Sequence, residues 1–276
     1  MPTPFVTTDW LAEHLTDPDL AVVDASWYLP AAGRDAHAEY LAGHIPGAVF
    51  FPIDEIADKT TDLPHMLPAP RDFAQAVGAM GITETMTIVV YDEAGLFSAP
   101  RVRWTFRAMG AADVRILEGG GPRWRAEGRP IEAGPVSRPV REFKARFVPE
   151  MVADFERVSA RVRDRAAQIA DARPQARFLG QAPEPRAGLK AGHIPGSASL
   201  PFTQLVRDGR MKPAEELKAE IAAAGIDSDK PVITTCGSGV TAAVLALALE
   251  IAGARDVALY DGSWAEWGGR DDAEVA

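Results

Sequence analysis

Cysteine is nearly absent from this chain of 276 residues: there is one, Cys236. A single thiol excludes an internal disulfide framework and any multi-cysteine metal site. It also excludes a second thiol in the chain that could resolve an oxidised or sulfurated Cys236. Positive charge is in deficit, with 29 Lys and Arg against 39 Asp and Glu and a formal net charge of -10. That balance argues against a general nucleic-acid surface, which needs a basic face. A small anionic substrate stays open, because a few arginines can dominate one pocket. Long apolar runs are missing too. The longest, Ala242 to Ala252, is broken by Glu250 and falls short of a membrane span. Met1 to Leu15 carries no basic segment followed by an apolar stretch, so the expectation is a cytoplasmic protein with no membrane partner.

What is present is a repeat. His44-Ile45-Pro46-Gly47 returns as His193-Ile194-Pro195-Gly196, and Ile88 to Asp92 returns as Val232 to Cys236. Leu117-Glu118-Gly119 with Trp124 returns as Leu259 to Gly262 with Trp267, so the three markers recur at offsets of 149, 144 and 143 residues. Markers in one order at nearly equal, long offsets indicate a duplicated domain rather than a solenoid. Each copy reads as α/β. Leu20 to Ala25, Ile88 to Tyr91 and Val114 to Leu117 are short apolar runs fit for buried strands. Arg71 to Met80 and Pro100 to Met109 are amphipathic. The second copy repeats this with helices at Glu215 to Ala224 and Val240 to Ala252 and strands at Val232 to Thr235 and Val257 to Tyr260. The expectation is two tandem domains, each a parallel sheet flanked by helices. They span residues 1–131 and 150–276, joined by a proline-containing linker over 132–149.

Cys236 ends an apolar strand and is followed by Gly237-Ser238-Gly239-Val240-Thr241, then an Ala- and Leu-rich helix. A lone cysteine taken by itself reads as a small buried hydrophobe. Its position at the carboxyl end of a strand, where open α/β sheets place ligands, turns the reading towards chemistry. A strand, a Gly-rich turn and a helix start aim successive backbone N–H groups at one point, a setting that favours thiolate. The phosphate-loop pattern is absent. A cysteine phosphatase needs an arginine six positions after its nucleophile, and that position is Ala242.

These motifs carry a family resemblance over nearly the whole length. Asp24 to Pro30, Gly33-Arg34-Asp35, both HIPG segments, His65 to Pro68, Ser98 to Val102, Glu184-Pro185-Arg186, Cys236 to Thr241 and Tyr260 to Trp264 resemble the tandem rhodanese-domain sulfurtransferases, more narrowly those using 3-mercaptopyruvate. Thiosulfate-preferring relatives resemble C-R-K-G-V-T at the cysteine loop, where this sequence has Gly237 and Ser238. The resemblance implies a Cys236 persulfide, with the amides of Gly237, Gly239, Val240 and Thr241 holding the sulfur. It implies that Arg177 and Arg186 bind the donor's carboxylate and keto oxygens, and that Ser238, His65 and Asp54 form a proton relay. No metal or cofactor is implied. The acceptors expected are cyanide, a small thiol or a thioredoxin-like dithiol, on a monomer or weak homodimer. The first copy has Asp92 at the cysteine position and cannot carry sulfur. His44 and His193, shared by both copies, read as structural turns. A thiosulfate enzyme and a rhodanese-fold binding module are the rival readings.

Overall fold

A computed structural model describes residues 3–276. The chain forms two compact units, one of Met1–Asp58, Leu67–Val148 and Asp208–Arg210, the other of Lys59–Met66, Pro149–Arg207 and Met211–Ala276.

In the first unit, strands β1 (Phe5–Val6), β2 (Leu20–Asp24), β3 (Val49–Phe50), β4 (Thr87–Tyr91) and β5 (Asp113–Leu117) alternate with helices α1 (Thr8–His14), α2 (Ala36–Ala42), α3 (Pro70–Ala79), α4 (Ala99–Ala108) and α5 (Gly120–Ala126). The strands form one sheet in the order β1-β5-β4-β2-β3, with every pairing parallel. β2 is buried along its whole length, as expected of a strand covered on both faces. Trp124, Leu11, Val22, Val89 and Leu117 pack in the core.

The second unit repeats the design with β6 (Val152–Ala153), β7 (Gln168–Asp171), β8 (Ala198–Ser199), β11 (Val232–Thr235) and β12 (Val257–Tyr260), ordered β6-β12-β11-β7-β8 and again parallel. Its helices are α6 (Phe155–Asp164), α7 (Gln175–Phe178), α8 (Ala214–Ala223), α9 (Val240–Ala252) and α10 (Ser263–Trp267). A small two-stranded ribbon joins β9 (Val206–Arg207) to β10 (Arg210–Met211). Ile169, Ile233, Tyr260, Trp264 and Trp267 form the core beneath β11 and β12.

Glycine ends the long helices as expected: Gly253 caps α9 at φ 103°, and Gly110 follows α4 at φ 91°, both left-handed. Residues 133–148 hold no helix or strand, yet they lie within the first unit. Arg141 N–H donates to the Gly78 carbonyl at 2.9 Å, and Phe143 is buried against Phe73 and Phe106. No helix among the described residues is long and apolar enough to cross a membrane.

Candidate active site

β11 delivers Cys236 to its carboxyl end, and α9 starts four residues later with Gly239 as N-cap at φ 80°. That left-handed residue permits the tight turn. The first N–H groups of α9 have no partner within the helix and converge on the turn. The Cys236 backbone is held on both sides. Its N–H donates to Ser263 Oγ at 3.3 Å, and its carbonyl accepts from Trp264 N–H at 2.9 Å. Ser263 itself has φ 50° and donates to the Tyr260 carbonyl at 2.8 Å.

The first copy shows what such a turn binds. Asp92 occupies the cysteine position, and its Oδ2 accepts from the N–H groups of Phe97, Ser98 and Ala99 at 2.8, 2.9 and 2.8 Å. Oδ1 accepts a further N–H, from Ala94 at 3.0 Å. A buried carboxylate at the strand end is thus neutralised by the start of α4. The second copy carries a thiol at the equivalent strand end, before a shorter turn into α9.

Cys236 is 2% exposed, and its neighbourhood is not purely apolar. Arg177 Nη2 lies 3.1 Å from where a Cβ on Gly237 would be, so glycine there admits the guanidinium against the turn that follows Cys236. Arg177 sits in α7 and is the more exposed end of an ion-pair chain, at 20% against 3% for Glu184 and 1% for Arg173. Glu184 accepts from Arg177 Nε at 3.3 Å and pairs with Arg177 Nη2. Glu184 also accepts from Arg173 Nη1 at 2.9 Å, and Arg173 forks onto Asp171. His193 bonds the Phe178 carbonyl through Nδ1 at 2.9 Å and stacks on the Phe178 ring, tying down the end of α7. His44 makes the matching bond to the Tyr40 carbonyl at 2.8 Å.

Of the remaining residues read from the sequence, Ser238 is buried in the turn and His65 is buried at φ 61°, within the second unit. Arg186 is half-buried in an irregular segment of that unit. Asp54 belongs to the first unit, is exposed, and accepts from Trp27 Nε1 at 2.8 Å. Sequence reasoning did not find Asp171, Arg173 or the part played by Glu184. Charged residues spaced 2, 4 and 7 apart carry no periodic signal, and only the path of the chain brings them together.

A duplicated α/β domain with one cysteine at an anion-binding turn defines a class of sulfur-handling proteins. The chain belongs to the rhodanese-like domain family, which it matches over residues 7–127 and 154–270. It is 48% identical over 272 residues to a 3-mercaptopyruvate sulfurtransferase of Escherichia coli, covering 98% of this chain and 97% of that protein. It is 44% identical to the thiosulfate sulfurtransferase of Bos taurus, covering 95% and 91%. The crystal structure of a 3-mercaptopyruvate sulfotransferase from Escherichia coli matches with a TM-score of 0.88 and 46% identity, covering 95% of this chain and 99% of that one.

Proposed function

We propose that the chain transfers sulfur from 3-mercaptopyruvate through a persulfide on Cys236. The observation that carries this is the placement of the thiol at the head of α9 with the Arg177 guanidinium beside Gly237. The Cys236 thiolate attacks the donor's sulfur and forms an S–S bond. The donor's C–S bond breaks, its electron pair passes to the carbon, and pyruvate leaves as the enolate and takes up a proton. Arg177 and Arg186 hold the carboxylate and keto oxygen, a bidentate task that suits guanidinium forks. Holding the keto oxygen also stabilises the developing enolate. The amides of Gly237 to Thr241 hold the persulfide anion, and Ser238, His65 and Asp54 manage the proton. Sulfur then passes to cyanide, a small thiol or a thioredoxin-like dithiol. With one cysteine in the chain, release uses an external acceptor. The enzyme works in the cytoplasm, as a monomer or weak homodimer.

Thiosulfate is the rival donor. It is a compact dianion, best held by cations next to the sulfur, whereas the loop here offers Gly237 and Ser238. The test has two parts. Donor-treated protein should gain the mass of one sulfur atom, and Cys236→Ser should gain none and show no turnover. With cyanide as acceptor, kcat/KM should favour 3-mercaptopyruvate over thiosulfate. An unchanged mass overturns the carrier, and the opposite preference overturns the donor.

A further inference from the structure

Arg177 projects from a helix of four residues, and a free arginine side chain samples many rotamers. Something must hold it if it is to meet a carboxylate in one geometry. Glu184 does so by spending both oxygens on it: Oε1 accepts from Nε at 3.3 Å and Oε2 pairs with Nη2. Nη1 has no hydrogen-bond acceptor among the described residues, and so is the donor left over for a ligand. Glu184 is itself buried, and Arg173 Nη1 donates to its Oε1 at 2.9 Å. Arg173 is fixed in turn by Asp171 Oδ2 at 2.9 and 2.8 Å, by the Gly192 carbonyl at 2.8 Å and by the Trp264 ring at 4.1 Å. Asp171 ends β7, the strand beside β11, and the Trp264 N–H bonds Cys236. The chain of pairs therefore references Arg177 to the same parts that hold the thiol.

The first copy serves as an internal control. Asp24 ends β2 as Asp171 ends β7, and each takes the N–H two residues on at 2.9 Å. The residue two on is Ser26 in the first copy and Arg173 in the second. The arginine that supports Glu184 is thus present in the copy that carries the thiol and replaced in the copy that does not.

We infer that Glu184 is a positioning residue for donor selection: it locks Arg177 so that Nη1 faces the carboxylate of the donor, and Arg173 offsets the burial of the Glu184 charge. This rests on the proposed role of Arg177 as a carboxylate anchor. Charge alone predicts the reverse, because removing Glu184's negative charge makes the site more attractive to any anion. The experiment is a donor comparison on the full chain with Glu184→Gln, Arg177→Ala and the double variant. Glu184→Gln should lower kcat/KM for 3-mercaptopyruvate by about 10- to 100-fold, the range expected for a charge-assisted hydrogen bond, chiefly through KM. Thiosulfate turnover should not fall, nor should the rate at which iodoacetamide alkylates Cys236. In the Arg177→Ala background the change at Glu184 should cost nothing further. Arg177→Lys, which keeps the charge but cannot fork onto Glu184, should show the same donor-selective loss and stands in if Glu184→Gln folds poorly. An equal loss for both donors, or a full cost in the Arg177→Ala background, overturns the inference while leaving the anchor intact. If Arg177→Ala itself leaves KM for 3-mercaptopyruvate unchanged, the anchor falls and the inference falls with it.

Discussion

Ser263 shows how the two copies diverge at a single residue. In the first copy the corresponding position is Gly120 at φ 58°, where a Cβ would come within 2.4 Å of the Asp92 carbonyl. In the second copy a serine adopts φ 50°, a region that costs a side chain roughly 1–2 kcal/mol. Its hydroxyl offsets this by donating to the Tyr260 carbonyl and accepting from the Cys236 N–H. Ser263→Ala keeps the strain and loses both bonds, so it should destabilise the chain by about 1–3 kcal/mol. Ser263→Gly loses the same bonds but relieves the backbone, and should cost about 1 kcal/mol less. Both should alter the alkylation rate of Cys236, because its N–H loses its acceptor. Denaturant unfolding that ranks Ala above Gly would overturn this account. Cys236 was legible from sequence because a β-branched strand, two glycines and a helix start surround it. The left-handed state of Ser263 was not, since a serine in Gly-Ser-Trp announces no backbone angle. Arg177 and Arg186 are expected as donor anchors through resemblance alone, and the carboxylate that grips Arg177 was outside what spacing can show.

At the scale of elements, the junction of strand and helix is the working part. α4 and α9 begin after turns of different length, yet both follow the strand at the centre of their sheet. In the first copy Asp92 satisfies four N–H groups at this junction while 1% exposed. Asp92→Ala would leave those donors buried without a partner, and should cost roughly 2–4 kcal/mol of the first unit's stability. Asp92→Asn should cost less, because its carbonyl oxygen still accepts. Neither should slow sulfur loading of Cys236 at a temperature where the unit stays folded. Hydrogen exchange of the first unit's strand amides and the mass gain per minute check the two halves of the prediction, and an Asp92→Ala unit as well protected as the parent's would sink the first. Strands and helices with a strong period were read from sequence to within a residue, as with Ile88 to Tyr91 against Thr87–Tyr91 and Val240 to Ala252. The segment of residues 133–148 was not, because its order comes from Gly78 and the Phe73–Phe106–Phe143 cluster rather than from any period of its own.

The whole molecule is one design used twice, with charge treated differently in each copy. Asp171 is compensated by Arg173, whereas Asp24 has Ser26 and the Tyr91 hydroxyl in its place. Burial pushes the Asp24 carboxyl up to about 6 from an ordinary value of 3.8, and its hydrogen bonds only partly oppose this. The folded chain therefore holds this proton to higher pH than the unfolded chain. Asp24 contributes stability that is fully present below about pH 4 and is lost as pH rises through about 6, amounting to about 3 kcal/mol. Asp24→Asn carries no charge at any pH and keeps an oxygen for the Ser26 N–H. Its stability relative to the parent should therefore climb between pH 4 and 7 and level off above. Because the chain has two units, global unfolding can report on the wrong one. Hydrogen exchange of the β2 and β4 amides, followed by mass spectrometry across that pH range, reads the first unit directly. A gap between parent and variant that stays constant from pH 4 to 7 would show that Asp24 titrates alike in the folded and unfolded chain, and that the uncompensated copy bears no electrostatic cost.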